Sequence, residues 1–276
     1  MMRNIFLNAE GRLRSFWWIA LFFAVLAGLL VPLIVNAGDA GVPLWQQLAV
    51  IAAASLLCQA LRRRPIAELT GPLSLSWARD LGVGLAGGAL LMLAPAAALA
   101  ALGAVSWQAN PAWAEALPPV LLTLLVAAAA EELLFRGFLF QRLIDGVGVT
   151  LAQLVIAALF TLTHSGALAG QGELAYLAGA NIFLASLMFG LAFVRTKSLA
   201  LPFGLHFAAN VTQGPLLGFG VSGSDEQGLL VLARAGAPDW LTGGTFGLEA
   251  SVPGILAVLA LTALLYAVKP RTNAAP

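Results

Sequence analysis

The chain has 276 residues, of which 60% are hydrophobic and 10% charged. A soluble domain carries about a quarter charged residues, so 14 Lys and Arg with 13 Asp and Glu cannot cover a water-soluble globule, and the composition selects a polytopic helical membrane protein. The net charge of +1 says little about partners, and the single cysteine, Cys58, excludes a disulfide framework or a cysteine metal cluster.

Apolar windows of about 20 residues, the length that crosses a bilayer as a helix, predict eight spans: 16–36, 44–61, 81–105, 118–140, 149–168, 174–194, 198–217 and 253–268. The apolar part of the first, Phe16 to Val35, exceeds a signal-peptide core of about 7–15 residues and reads as a retained span. Pro95 interrupts the third and predicts a tilt or kink. In "GVGLAGG", Gly84 and Gly88 have the small-xxx-small spacing of close helix packing.

Basic residues test the count independently. With a cytoplasmic N-terminus and alternating spans, Arg3, Arg12, Arg14, Arg62, Arg63, Arg64, Arg79, Arg136, Arg142, Arg195, Lys197, Lys269 and Arg271 all fall inside, and only Arg234 falls outside. That bias obeys the positive-inside rule and puts both termini in the cytoplasm. The expected fold class is therefore an all-α transmembrane bundle of about eight spans in the cell (inner or plasma) membrane. Residues 1–117 form variable N-terminal spans, 118–217 a core of four spans, 218–252 an outer loop without readable chemistry, and 253–276 the last span and tail.

One segment stands against this apolar background. "AAAAEELLFRGFLF", Ala127 to Phe140, holds Glu131, Glu132 and Arg136. Each ionised side chain at a membrane helix centre costs ~2.5–3.5 kcal/mol, so the three would cost on the order of 8–10 kcal/mol if they faced lipid. Four-residue spacing stacks side chains on one helical face. Glu132 can thus neutralise Arg136, whereas Glu131, about 100° away, needs a partner from another span. The two histidines of the chain occur in similar settings, Phe160 four residues before His164 and Asn210 four residues after His206. Counted inward from the cytoplasmic ends, Glu131 lies about nine residues deep, His206 about eight and His164 about fifteen, overlapping depths at 1.5 Å per residue. One polar pocket could hold all three, and ionisable groups inside a membrane are functional by default.

Glu, two His and Asn without a nucleophilic Ser or Cys suit hydrolysis by activated water. A carboxylate and an imidazole can hold and deprotonate the water, while a second imidazole and an amide donate to the developing oxyanion. A metal variant is also possible, with Zn²⁺ held by Glu131, His164 and His206; the lack of an HExxH motif and the presence of only two histidines weigh against a tightly bound zinc.

At these residues the sequence resembles the CAAX prenyl protease and bacteriocin-processing (CPBP, or Abi) family of intramembrane proteases. The family pattern EExxxR, FxxxH and HxxxN stands here as "EELLFR" (131–136), "FTLTH" (160–164) and "HFAAN" (206–210), in order, each on its own span. The resemblance implies that Glu131 is the general base, assisted by His164, and that His206 and Asn210 stabilise the oxyanion. It implies further that Glu132 and Arg136 orient the site and that Phe160 packs beside the histidine. The activity implied is endopeptidase cleavage of membrane-associated, CAAX-like or other peptide substrates. The expected partners are a peptide or membrane-protein substrate and the lipid bilayer, with no nucleic acid. Two other readings compete: a non-catalytic member of the family acting in bacteriocin immunity or as a scaffold, and a proton- or ion-coupled transporter using Glu131 and the histidines as a relay.

Overall fold

The computed structural model describes residues 6, 7, 11, 13–224 and 228–267. Arg3, Arg12, Lys269 and Arg271 of the basic pattern, Asp225 and Glu226 of the outer loop, and the tail after 267 lie outside the described residues. The long helices run in the order α1 (Ser15–Ala37), α2 (Leu44–Leu61), α3 (Leu75–Ala101), α4 (Leu117–Glu132), α5 (Leu139–Thr163), α6 (Leu174–Thr196), α7 (Ala200–Val211) and α8 (Val252–Ala267). Each of the eight apolar windows thus coincides with helix. Among the described residues, five helical stretches are long and apolar enough to cross a membrane, and one of them, Leu117–Thr163, contains the fourth and fifth windows together. That stretch breaks at Gly148 (φ +80°, ψ 167°), a conformation that costs glycine little and other residues much.

Two further irregularities lie beside the sequence motifs. A π-helical turn, Leu133–Phe138, follows α4, with Gly137 out of helical geometry (ψ −123°); a second, Thr212–Leu216, follows α7. Such widened turns recur at functional sites because they rotate one stretch of helix relative to the next.

Gly84 and Gly88 form a packing seam, as their spacing predicts. A Cβ on Gly84 would come within 2.5 Å of the Leu201 carbonyl oxygen, one on Gly88 would strike the Leu205 carbonyl, and one on Gly204 would lie 2.7 Å from the Leu81 carbonyl. The backbones of α3 and α7 therefore touch, and α7 is the helix that carries His206 and Asn210. Pro95 is accommodated inside a continuous α3.

The segment after α7 is more structured than its composition suggests. Strand β1 (Val105–Ala109) pairs antiparallel with β2 (Leu230–Arg234), Val105 opposite Arg234 and Ala109 opposite Leu230. Trp107 Nε1 donates to the Leu217 carbonyl at 2.8 Å, which ties this small sheet to the end of α7. The chain then passes through a single 3₁₀ turn, Leu248–Ala250, with Leu248 and Ala250 fully buried, before entering α8.

Candidate active site

The alanine run before Glu131 is a strong helix former with no bulk, and Ala128 and Ala130 are buried against neighbouring helices. It delivers Glu131 and Glu132 to the interior at the end of α4. Glu132 and Arg136 are 1% and 0% exposed, and Arg136 Nη1 donates to Glu132 Oε1 at 3.1 Å, the pair expected from the four-residue spacing. Two features complete it. Arg136 Nη2 donates to the Ser186 carbonyl at 3.0 Å and to Ser186 Oγ at 2.7 Å. Its guanidinium also lies 4.9 Å from the Phe160 ring and 5.3 Å from the Phe189 ring, within cation–π range. A buried charge needs this many partners to be tolerated.

His206 joins the two glutamates. Its Nδ1 lies 2.9 Å from Glu132 Oε1, and its Nε2 lies 3.7 Å from Glu131 Oε2. The imidazole stacks on Phe189 at 5.0 Å between ring centres and 12° between planes. Since Glu132 Oε1 can only accept, Nδ1 carries a proton, and Nε2 is the nitrogen turned to Glu131. In their ionised forms Glu131, Glu132 and Arg136 sum to one negative charge, and the His206 imidazole stands against both carboxylates.

His164 ends α5. Its Nδ1 is 2.7 Å from the Phe160 carbonyl oxygen, again an acceptor, so its tautomer is fixed with Nε2 free for other work. Phe160 packs against His164 at 4.7 Å and reaches His206 at 6.3 Å. His164, His206 and Asn210 all line one cavity of about 40 Å³, together with Phe160, Phe189, Asn181, Ser222 and Glu249. That volume admits a water molecule or two. Glu131 does not line this cavity and meets it only through His206. Its Oε2 is sheltered from solvent with no hydrogen-bond partner among the described residues, and the 3.7 Å to His206 Nε2 is longer than a hydrogen bond.

Zinc coordination by Glu131, His164 and His206 does not fit this arrangement. Among the described residues no three His, Cys, Asp or Glu side chains are gathered as a ligand set, and no carboxylate lies within 4 Å of His164, whereas His206 has two.

Ser186, Phe189, Asn181 and Glu249 escape the motif reading. Asn181 and Ser186 were visible only as polar residues inside an apolar window. Glu249 belongs to the outer loop, for which no chemistry was expected, yet its carboxyl lines the cavity. The Ser222 backbone N–H and Oγ donate to its Oε2 at 2.7 and 3.2 Å.

Fold and site together define a multi-pass helical membrane protein with a buried carboxylate–imidazole cluster. Residues 113–212 match the family model described as Type II CAAX prenyl endopeptidase Rce1-like, a CPBP-family model, so the resemblance drawn from the three motifs holds over the segment that contains them. The matched segment covers α4 through α7, and the family it resembles is one of proteases. No curated protein matches the chain.

Proposed function

We propose that this protein is an intramembrane endopeptidase that hydrolyses peptide bonds with an activated water, and that Glu131, His164, His206 and Asn210 are its catalytic residues. The observation that carries the reading is the approach of Glu131 Oε2 to His206 Nε2 at 3.7 Å, beside a water-sized cavity lined by both imidazoles and Asn210. In this reading Glu131 acts as a carboxylate that takes a proton from water. His206 Nε2–H and the Asn210 amide can then donate to the oxyanion, and His164 Nε2, unprotonated while Nδ1–H bonds the Phe160 carbonyl, accepts a second hydrogen of the water. Glu132, Arg136, Ser186 and Phe189 hold His206 in place. No step requires a metal.

The catalytic core in this reading is 118–217, in a cell membrane (plasma or inner) with both termini cytoplasmic. The family description points to prenylated CAAX-type peptides as one substrate class, with other membrane-associated peptides as the wider one. The test is cleavage of a peptide library, with prenylated CAAX-type members, by the purified protein in lipid nanodiscs. Wild type should cut, and Glu131→Gln and His206→Gln should each lose ~10²–10⁴-fold. Equal activity in all three proteins would remove the hydrolase assignment and leave immunity or scaffolding as the function.

A further inference from the structure

Glu249 reaches the cavity from outside the motif-bearing helices, and its placement is enforced at several points. Gly247 (φ +96°) packs directly on the Gly220 carbonyl, where a side chain would collide. Leu248 and Ala250 on either side of Glu249 are fully buried, and Asn181 Nδ2 of α6 donates to the Glu249 carbonyl at 2.8 Å. Both bonds to the carboxyl, from Ser222 N–H and Ser222 Oγ, fall on Oε2, so among the described residues no donor falls on Oε1. The carboxyl belongs to the same cavity wall as His164, His206 and Asn210.

Burial pushes the Glu249 carboxyl above the usual carboxylate range, against the opposing pull of the Ser222 bonds and of the facing imidazoles, His164 and His206. Two carboxyl groups thus flank one pair of imidazoles in different surroundings. One, Glu131, stands 3.7 Å from His206, and the other, Glu249, is half-buried in the outer loop. Environments that separate two carboxyls in this way divide acid from base work.

Amide hydrolysis needs that division. The attacking water loses a proton, and the leaving nitrogen must gain one before the C–N bond can break. Building on the hydrolytic reading of this cavity, we propose that Glu249 is the acid of the reaction, donating its proton through Oε1 to the leaving nitrogen. The water oxygen bonds to the scissile carbonyl carbon as its proton passes to Glu131. The C–N bond then breaks as the Glu249 proton passes to nitrogen, giving a carboxylic acid and an amine with no redox change. Glu131 then returns its proton through water and Glu249 regains one.

An ester separates this role from a structural one, because an alkoxide leaves with far less need of a proton than an amide anion. The best peptide from the library and its depsipeptide, with an ester at the scissile bond, are assayed with wild type, Glu131→Gln, Glu249→Gln and Ser222→Ala in nanodiscs. Glu249→Gln should lower amide cleavage by ~10²-fold or more and ester cleavage by less than ~10-fold. Glu131→Gln should lower both alike. Ser222→Ala, which keeps the acid and loosens its anchor, should keep the wild-type amide-to-ester ratio. If Glu249→Gln does not fold, Glu249→Asp carries the same selective amide deficit. Loss on both substrates in equal measure, or on neither, overturns the proposal for Glu249. Unimpaired cleavage by Glu131→Gln overturns the hydrolytic reading itself, so the two failures are distinguishable.

Discussion

Glu132 Oε1 accepts from Arg136 on its own helix and from His206 on α7, at 3.1 and 2.9 Å. One oxygen therefore satisfies the only fully buried arginine of the cluster and fixes the tautomer of a histidine. Breaking a buried ion pair from one side strands the other charge at a cost of about 3–5 kcal/mol. Arg136→Met and Glu132→Ala should each lower thermal stability by that order, measured by unfolding in detergent, whereas Glu131→Gln should cost activity and little stability. Glu131 is a third exposed and shares no hydrogen bond with the pair, so of the two adjacent glutamates only Glu132 is held in the ion-pair network, and the proposed chemical role falls to Glu131. Glu249 adds a pH signature. Its carboxyl is raised by burial, so its contribution to stability is complete below the ordinary carboxylate range and is lost as pH rises through the folded-state value. Melting temperature should therefore decline with rising pH more in wild type than in Glu249→Gln; identical slopes would refute the assignment.

Helix α7 is aligned by backbone contact with α3 and not by side chains alone. Gly88→Val should push the two helices apart, carry His206 away from Glu131, and abolish cleavage with a clear fall in melting temperature. The same change at Gly82, which has open space around it, should do far less. This seam was legible in the sequence because its spacing has a single physical reading. So were the three polar motifs, since each pairs residues one helical turn apart inside windows otherwise free of charge. The sharing of Glu132 by Arg136 and His206 was not legible, because it depends on how α4 and α7 cross. Asn181 and Ser186 were hidden for the same reason, as was the widening of the helix at Leu133–Phe138, where nothing in "LLFRGF" except Gly137 announces a departure from α geometry.

Across the whole molecule, the apolar windows were enough to locate all eight long helices, while the pairing of β1 with β2 was invisible to periodicity. Each strand is five residues long and its partner lies beyond four helices in sequence. The topology inferred from basic residues predicts that single cysteines introduced at Lys197 and Val231, in a Cys58→Ala background, label from opposite sides of the membrane. Labelling of both from one side would refute the alternating arrangement. Sealed vesicles and a membrane-impermeant maleimide make the measurement direct. The late position of the small sheet and of Glu249 also bears on when the proposed site would be complete. A ribosome has made α4 through α7, with every motif residue, well before β2 closes on β1 and Ser222 can seat Glu249. A nascent chain halted at 217 holds Glu131, both histidines and Asn210 but lacks Glu249, the proposed proton donor. On that proposal, cleavage competence arrives only after residue 249 is made, and the order of synthesis itself keeps the unfinished chain inactive.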